Sequence, residues 1–175
     1  VNTDETFATA LRQLSAQRRF DEITIEDILQ RAGYSRRTFY QHFRDKYDLL
    51  GYSYRQGLDA LRKSDCRWPD IIASIFQLVH DDADFYTHVL QTDREHTLED
   101  FFCAQNSAFI HDAIRRRDPV KYASDPDINF SIQFFCAGLS KSLLDWLQAG
   151  MPLPVAVIAQ QVCDQMAPEL RAILL

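Results

Sequence analysis

The chain has 175 residues, a mass of 20.3 kDa, 46% apolar residues and a formal net charge of −6. This is enough apolar side chain for one sizeable core or two small ones, yet the longest apolar runs fall far short of the roughly 20 residues a membrane span needs. No basic-then-apolar leader precedes Thr3, so a soluble, cytoplasmic protein is expected. Cys66, Cys103, Cys136 and Cys163 are widely separated and form no C-x-x-C pair, which predicts free thiols rather than a disulfide framework.

Sustained period-two alternation and Asn-Gly or Asp-Gly hairpins are missing, and the prolines fall between apolar-periodic segments, so the predicted fold is all-α. Phe7, Leu11 and Leu14 recur at helical spacing in a first helix over about residues 3–18. A second helix starts after Thr24, the N-cap, with Asp27 completing a capping box and Ile23 and Ile28 in the positions of a hydrophobic staple. Gly33 suits the left-handed end of that helix, and Ser35 offers the next N-cap for a third helix from Arg36 to about His42. Asp45 caps a fourth, with Asp48 at the box position and Leu49, Leu50, Leu58 and Leu61 carrying it to about residue 63 as a rigid link. Pro69 sits at an early helical position, followed by the stripe Ile72, Ile75, Phe76 and Val79. Further helices are predicted at about 84–92, 95–116, 126–149 and 154–166, punctuated by Pro119, Pro126, Gly150, Pro152 and Pro154.

The acidic balance hides an asymmetry. Residues 31–46 carry a net +4 from Arg31, Arg36, Arg37, Arg44 and Lys46 against Asp45, whereas residues 51–175 hold 11 basic and 17 acidic side chains. Arg36, Arg37 and Lys46 fall on the first turns of the third and fourth helices, where the macrodipole disfavours a cation by roughly 0.3–1 kcal/mol. Either these long side chains simply point into water, or cations and free N–H groups together await an anion, for which a duplex phosphate is suited to a helix-turn-helix.

The stretch Thr24-x3-Ile28-x3-Ala32-Gly33-x-Ser35-x2-Thr38-Phe39-Tyr40-x-His42-Phe43-x2-Lys46-x2-Leu49 resembles the DNA-binding signature of TetR/AcrR-type transcriptional regulators. The resemblance implies a three-helix DNA-binding head over residues 1–46, its third helix in the major groove, and a helical regulatory and dimerisation body over 47–175. Carried over, it implies that Thr24 caps the second helix beside the backbone, with Ser35 at the start of the third. Tyr40, His42 and Lys46 are expected to meet phosphates, and Arg36, Arg37, Thr38 and Gln41 to reach base edges, with Phe39 and Phe43 buried. Tyr34, Leu29 and Arg37 depart from the pattern, and Arg37 could pair with guanine O6 and N7, worth about 1–3 kcal/mol of discrimination.

From residue 70 onward, Asp84-Phe85-Tyr86, Gln105-Asn106-Ser107 and the run from Phe134 to Val162 are similar to the C-terminal domain of a branch common in Gram-positive bacteria, some members of which work with partner proteins of dihydroxyacetone metabolism. The helix at 126–149 carries two apolar stripes, one of Ile128, Ile132, Phe135, Leu139, Leu143 and Trp146, the other of Phe130, Phe134 and Gly138. So wide an apolar surface predicts burial on two sides. The expected dimer interface comprises Ile132, Phe135, Leu139, Leu143, Trp146, Val155, Ile158 and Val162, with Met166 beside them. A dimer would read a palindromic double-stranded site with half-sites about one helical turn, roughly 34–36 Å, or a multiple apart.

Phe76, Phe85, Tyr86, Phe101, Phe102, Phe109, Phe134 and Trp146 either are plain core or line an effector pocket with Gln105 and Asn106 as its polar contacts. A small molecule or a partner protein would release the operator from that domain; the competing reading is a TetR-like co-regulator acting only through a partner protein. His80, Asp81, Asp82, Asp84 and His88 match no zinc spacing and read as a solvated loop, and Arg115-Arg116-Arg117 suits a helix C-terminus. With no G-x-S-x-G, phosphate loop or G-x-G-x-x-G, neither catalysis nor a cofactor or metal is expected.

Overall fold

The computed structural model describes residues 2–63, 66–92, 97–125 and 127–175. Among these, every regular element is helical: α1 (Thr3–Ser15), a 3-10 turn (Phe20–Glu22), α2 (Ile25–Ala32), α3 (Arg36–His42), α4 (Lys46–Leu50), α5 (Tyr52–Arg62), α6 (Trp68–His80), α7 (Ala83–Thr92), α8 (Thr97–Arg117), α9 (Pro119–Ser124), α10 (Ile128–Gln148), α11 (Val155–Asp164) and α12 (Pro168–Leu174). The short α9 and α12 were not foreseen; each opens with a proline in its first turn, where the missing N–H costs nothing. The predicted starts at residue 95 and at Pro126 lie outside the described residues. No described helix is long and apolar enough to cross a membrane.

The chain forms two compact units, Val1–Gln56 with Asp82–Leu98, and Gly57–Asp81 with Glu99–Leu175. The boundary expected at 46/47 falls inside the first unit, which also takes in α7. Long-range hydrogen bonds explain that membership. The Phe20 N–H donates to Thr92 Oγ1 at 3.1 Å, His88 Nε2 lies 2.9 Å from the Arg18 carbonyl oxygen, and Arg12 bridges Ser53 at 2.7 Å and Asp82 at 3.2 Å. Burial among these side chains pushes the Tyr86 hydroxyl pKa well up.

Local signals set the helix ends of the first unit. The capping box of α2 is complete, with Asp27 N–H on Thr24 Oγ1 at 3.2 Å and Thr24 N–H on Asp27 Oδ2 at 2.8 Å. Ile23 and Ile28, the staple residues, are both buried. Gly33 takes φ 73°, the left-handed turn that ends α2, and Ser35 accepts the Thr38 N–H at 3.1 Å to start α3. The first helix stops at Ser15, earlier than expected, because Gln17 and Arg18 both return to the Leu14 carbonyl. The fourth predicted helix is likewise two, broken at Gly51 where ψ is −2°. Arg55 caps the break, donating to the Asp48 carbonyl at 2.6 Å and pairing with its carboxylate at 2.8 Å. Asp48 in turn accepts the Arg44 N–H, one residue before the expected box position.

In the second unit α6 packs on α11, and α10 packs on α6, α11 and α12. Phe76 meets Trp146 edge-on at 5.4 Å, and Trp68 meets Phe109 at 6.0 Å. The Trp146 indole N–H donates to the Leu153 carbonyl at 2.9 Å, and Asn106 Nδ2 donates to Ser140 Oγ at 3.2 Å inside the core.

Thr24→Ala should lower unfolding free energy by about 0.5–2 kcal/mol in urea melts. The Thr24 hydroxyl and N–H, with Arg18, hold the Asp27 carboxyl down to about 2. A depressed folded pKa stabilises above the unfolded value, near 4, and that contribution is lost as pH falls through about 2. Asp27→Asn should therefore flatten the acid limb of a stability-versus-pH curve measured between pH 5 and 2.

Candidate nucleic-acid interface

The third helix is fixed by what it buries. Phe39 and Phe43, four residues apart on one side of α3 and its end, enter the core of the first unit. There the Phe7 ring stands 5.3 Å from Phe39 and 6.1 Å from Phe43, with Tyr34 at 5.2 Å. Leu29 is buried as well, so of the three departures from the TetR-type pattern Leu29 and Tyr34 pack against the core and Arg37 does not. With that side committed, the opposite side of α3 carries exposed Arg37, Gln41 and Tyr40, the last 52% exposed and braced edge-on by Phe39.

The three cations expected to share an anion have three different fates. Arg37 is exposed and, among the described residues, has no ion-pair or hydrogen-bond partner. Arg36 lies 3.0 Å from Glu26, but the two side chains are 64% and 71% exposed, and such a pair contributes little and exchanges readily for a phosphate. Lys46 departs from the expectation. Its ammonium donates to the carbonyls of Phe20, Asp21 and Ile23 at 2.9, 3.2 and 2.9 Å, and sits 4.8 Å from the Phe20 ring centroid. An ammonium has three donors, and those contacts use all of them. The tip of α4 is capped too, because Asp45 Oδ1 accepts from Tyr47 N–H at 2.9 Å and Asp48 N–H at 2.8 Å. The cation that looked misplaced at a helix start thus finds its acceptors in a turn some 25 residues earlier, which no local pattern could reveal.

Among the other predicted contacts, the Ser35 and Thr38 hydroxyls lie 2.9 Å apart, Thr24 donates to Asp27 at 2.7 Å, and His42 Nδ1 lies 2.6 Å from Asp4. Of these only Ser35 borders the recess of about 450 Å³ at the α2–α3 turn, which is lined by Glu26, Gln30 and Arg36 among others. The geometry is a helix-turn-helix: a capped α2, a left-handed glycine, and a short α3 with one face anchored and one face offered.

The pattern described as bacterial regulatory proteins of the tetR family matches residues 8–52, and that described as a transcriptional regulator C-terminal region matches residues 67–167. The chain belongs to the TetR family. No curated protein matches it. A solved structure, the dihydroxyacetone kinase operon activator DhaS, aligns over 99% of this chain and 98% of its own at 19% identity with a TM-score of 0.64. At that identity the likeness speaks for the TetR fold. The family is one of transcription regulators that bind DNA through a helix-turn-helix, not of enzymes.

Several expectations for this TetR body need correction. Of the residues expected at the dimer interface, Ile132, Phe135, Leu139, Leu143, Trp146 and Val162 are largely covered within the chain's own second unit, with Phe135, Leu139 and Val162 edging a groove beside Phe134, while Val155 and Ile158 are half-buried. Phe134, expected inside a pocket, is 71% exposed, because α10 turns its second stripe outward. Phe76, Phe102, Asn106 and Phe109 lie in the packed core of the second unit and Gln105 is half-buried there, whereas Phe85 and Tyr86 belong to the first unit. The segment expected as a solvated loop is mostly helical, with His80 ending α6 and Asp84 and His88 on α7, and Asp82 and His88 are engaged by Arg12 and the Arg18 carbonyl. Arg115 stacks on Tyr122, with 5.1 Å from its guanidinium carbon to the ring centroid.

Replacing Lys46 with Met should lower the unfolding free energy by about 1–3 kcal/mol, since three part-buried carbonyls lose a charged donor. Arg37→Ala should stay within about 0.5 kcal/mol of the parent. Equilibrium denaturation of both variants checks that Lys46 serves the fold and that Arg37 does not.

Proposed function

We propose that this TetR-family chain works as a homodimer that binds a palindromic operator, represses transcription there, and is released by a small molecule bound in its second unit. The observation that carries the DNA part is the exposed side of α3, where Arg37 has no partner among the described residues and Tyr40 and Gln41 stand beside it on a helix locked from behind by Phe39 and Phe43. Arg37 and Gln41 have the donors for base edges. Arg36, Tyr40 and His42 suit phosphates, with Thr24, Ser35 and Thr38 holding the turn beside them. Lys46 enters this reading as a positioning residue that ties α4 to the Phe20–Ile23 segment. A reader of bacterial operators works in the cytoplasm, so that location comes with the proposal.

The dimer rests on the outward stripe of α10. Phe130 and Phe134 are 68% and 71% exposed with their rings stacked at 6.1 Å, and Val157 of α11 is 42% exposed. Gly138, further along the same face, has nothing within 4 Å of where a Cβ would stand, so a second helix can approach closely. A self-complementary apolar patch of this kind suits a two-fold interface in which the same helix of a second copy supplies the cover.

A second reading concerns sign alone: DhaS is named an activator, which favours testing activation beside repression. A reporter driven by the operator decides between them, expression rising on deletion of the gene for a repressor and falling for an activator.

Selection of duplexes from a random pool should return a palindrome, with affinity falling steeply between 50 and 200 mM salt. Arg37→Ala should relax preference at one base position per half-site by about 1–3 kcal/mol. If no duplex is enriched at low salt, the DNA reading is rejected. Phe134→Asp should shift the protein from dimer to monomer in sedimentation velocity; an unchanged dimer would discard the α10 interface.

A further inference from the structure

We propose that Asp4 of α1 is a positioning residue for His42 of α3: it holds the imidazole proton on Nδ1, so that His42 meets a phosphate only as the doubly protonated cation and duplex binding takes up a proton. His42 Nδ1 lies 2.6 Å from Asp4 Oδ1. At that separation two lone pairs repel, so a proton lies between nitrogen and oxygen. Asp4 stands in the first turn of α1, where the macrodipole favours negative charge, and this leaves the proton on the ring. The Asp4 oxygen also depends on the contact. It is shielded from water and has no well-aligned hydrogen bond elsewhere among the described residues, and a buried acceptor is rarely left unmatched.

The tautomer decides what the outer nitrogen can do. A neutral ring with its proton on Nδ1 presents a lone pair at Nε2, which a phosphate oxygen repels; only the cation donates from both nitrogens. Nε2 has no partner among the described residues, and the side chain is 35% exposed on the flank of α3, beside the face that carries Arg37 and Gln41. A helix that offers its middle to base edges offers such a flank to the sugar-phosphate backbone. Other charged and titratable groups around the contact are already engaged. Burial, then the charges of Asp4 and Glu5, pushes the Tyr52 hydroxyl of α5 up, so it stays neutral, and it accepts from Asn2 at 3.2 Å and Gln56 at 2.8 Å. Beyond α3, the Arg44 side chain is 89% exposed beside Asp48, and Asp45 caps α4. Protonation of His42 is thus the event that changes the charge offered to a phosphate here. Because the bound state holds the extra proton, affinity rises as pH falls and declines as pH rises. The phosphate contact rests on the DNA reading above; the tautomer rests on the α1–α3 contact alone.

Two measurements on the full chain separate these. Long-range proton–nitrogen spectra of the free protein, recorded at a pH high enough for the ring to be neutral, should place the His42 proton on Nδ1 in the parent. In Asp4→Ala it should move to Nε2, the form an unconstrained imidazole prefers. The dissociation constant for the duplex returned by selection should rise about tenfold or more between pH 6 and pH 8 at fixed salt, the scale of one charge-assisted hydrogen bond. Asp4→Ala and His42→Gln donate without taking up a proton, so theirs should change less than about threefold on the same criterion. Thermal melts of both variants confirm that they fold; should Asp4→Ala fail to, His42→Gln carries the pH profile and the parent carries the spectra. A parent ring protonated on Nε2, a pH dependence absent from the parent, or one equally steep in the folded variants overturns the proposal. If no duplex binds, the DNA reading is rejected and the proton linkage with it, while the spectra still decide whether Asp4 sets the tautomer.

Discussion

Burial of Phe39 and Phe43 against Phe7 is the constraint on which the exposed face of the helix-turn-helix depends. A seven-residue helix is too short to be stable by propensity, since isolated helices below about 12–15 residues are marginal in water. Its direction is instead dictated by two aromatic rings on one side and by the Ser35 cap at its start. Because those contacts orient the helix, Arg37, Tyr40 and Gln41 have no choice but to face outward. The exposed side of α3 is in this sense a by-product of core packing, and that is why so short an element can hold its outward side chains in place.

Electrostatics in the first unit divide between fold and ligand. Lys46, buried partly under the Phe20 ring and saturated by three carbonyls, stabilises the junction of the 3-10 turn with α4. Arg12 does similar work for α7 through Asp82 and Ser53. Arg37 and the weakly paired Arg36 are left to act on something outside the chain. The same residue types at similar positions therefore have opposite roles, distinguished by whether backbone acceptors lie within reach.

The second unit repeats this division in apolar terms. Both stripes of α10 are apolar, but one is consumed by α6, α11 and α12, while Phe130 and Phe134 are left in solvent.

By itself the sequence determined the all-α class, the TetR-type head and nearly every helix start from Thr24 to Asp45, because caps, a left-handed glycine and apolar spacing act over three or four residues. It also marked Phe39 and Phe43 as buried and Arg37 as outward. What it could not determine depends on contacts between residues far apart in the chain. Only the tertiary structure assigned α7 to the first unit through Thr92 and His88, turned Lys46 inward, and separated α4 from α5 at Gly51. It also decided which stripe of α10 is core, since periodicity registers that a face is apolar but not which neighbour covers it.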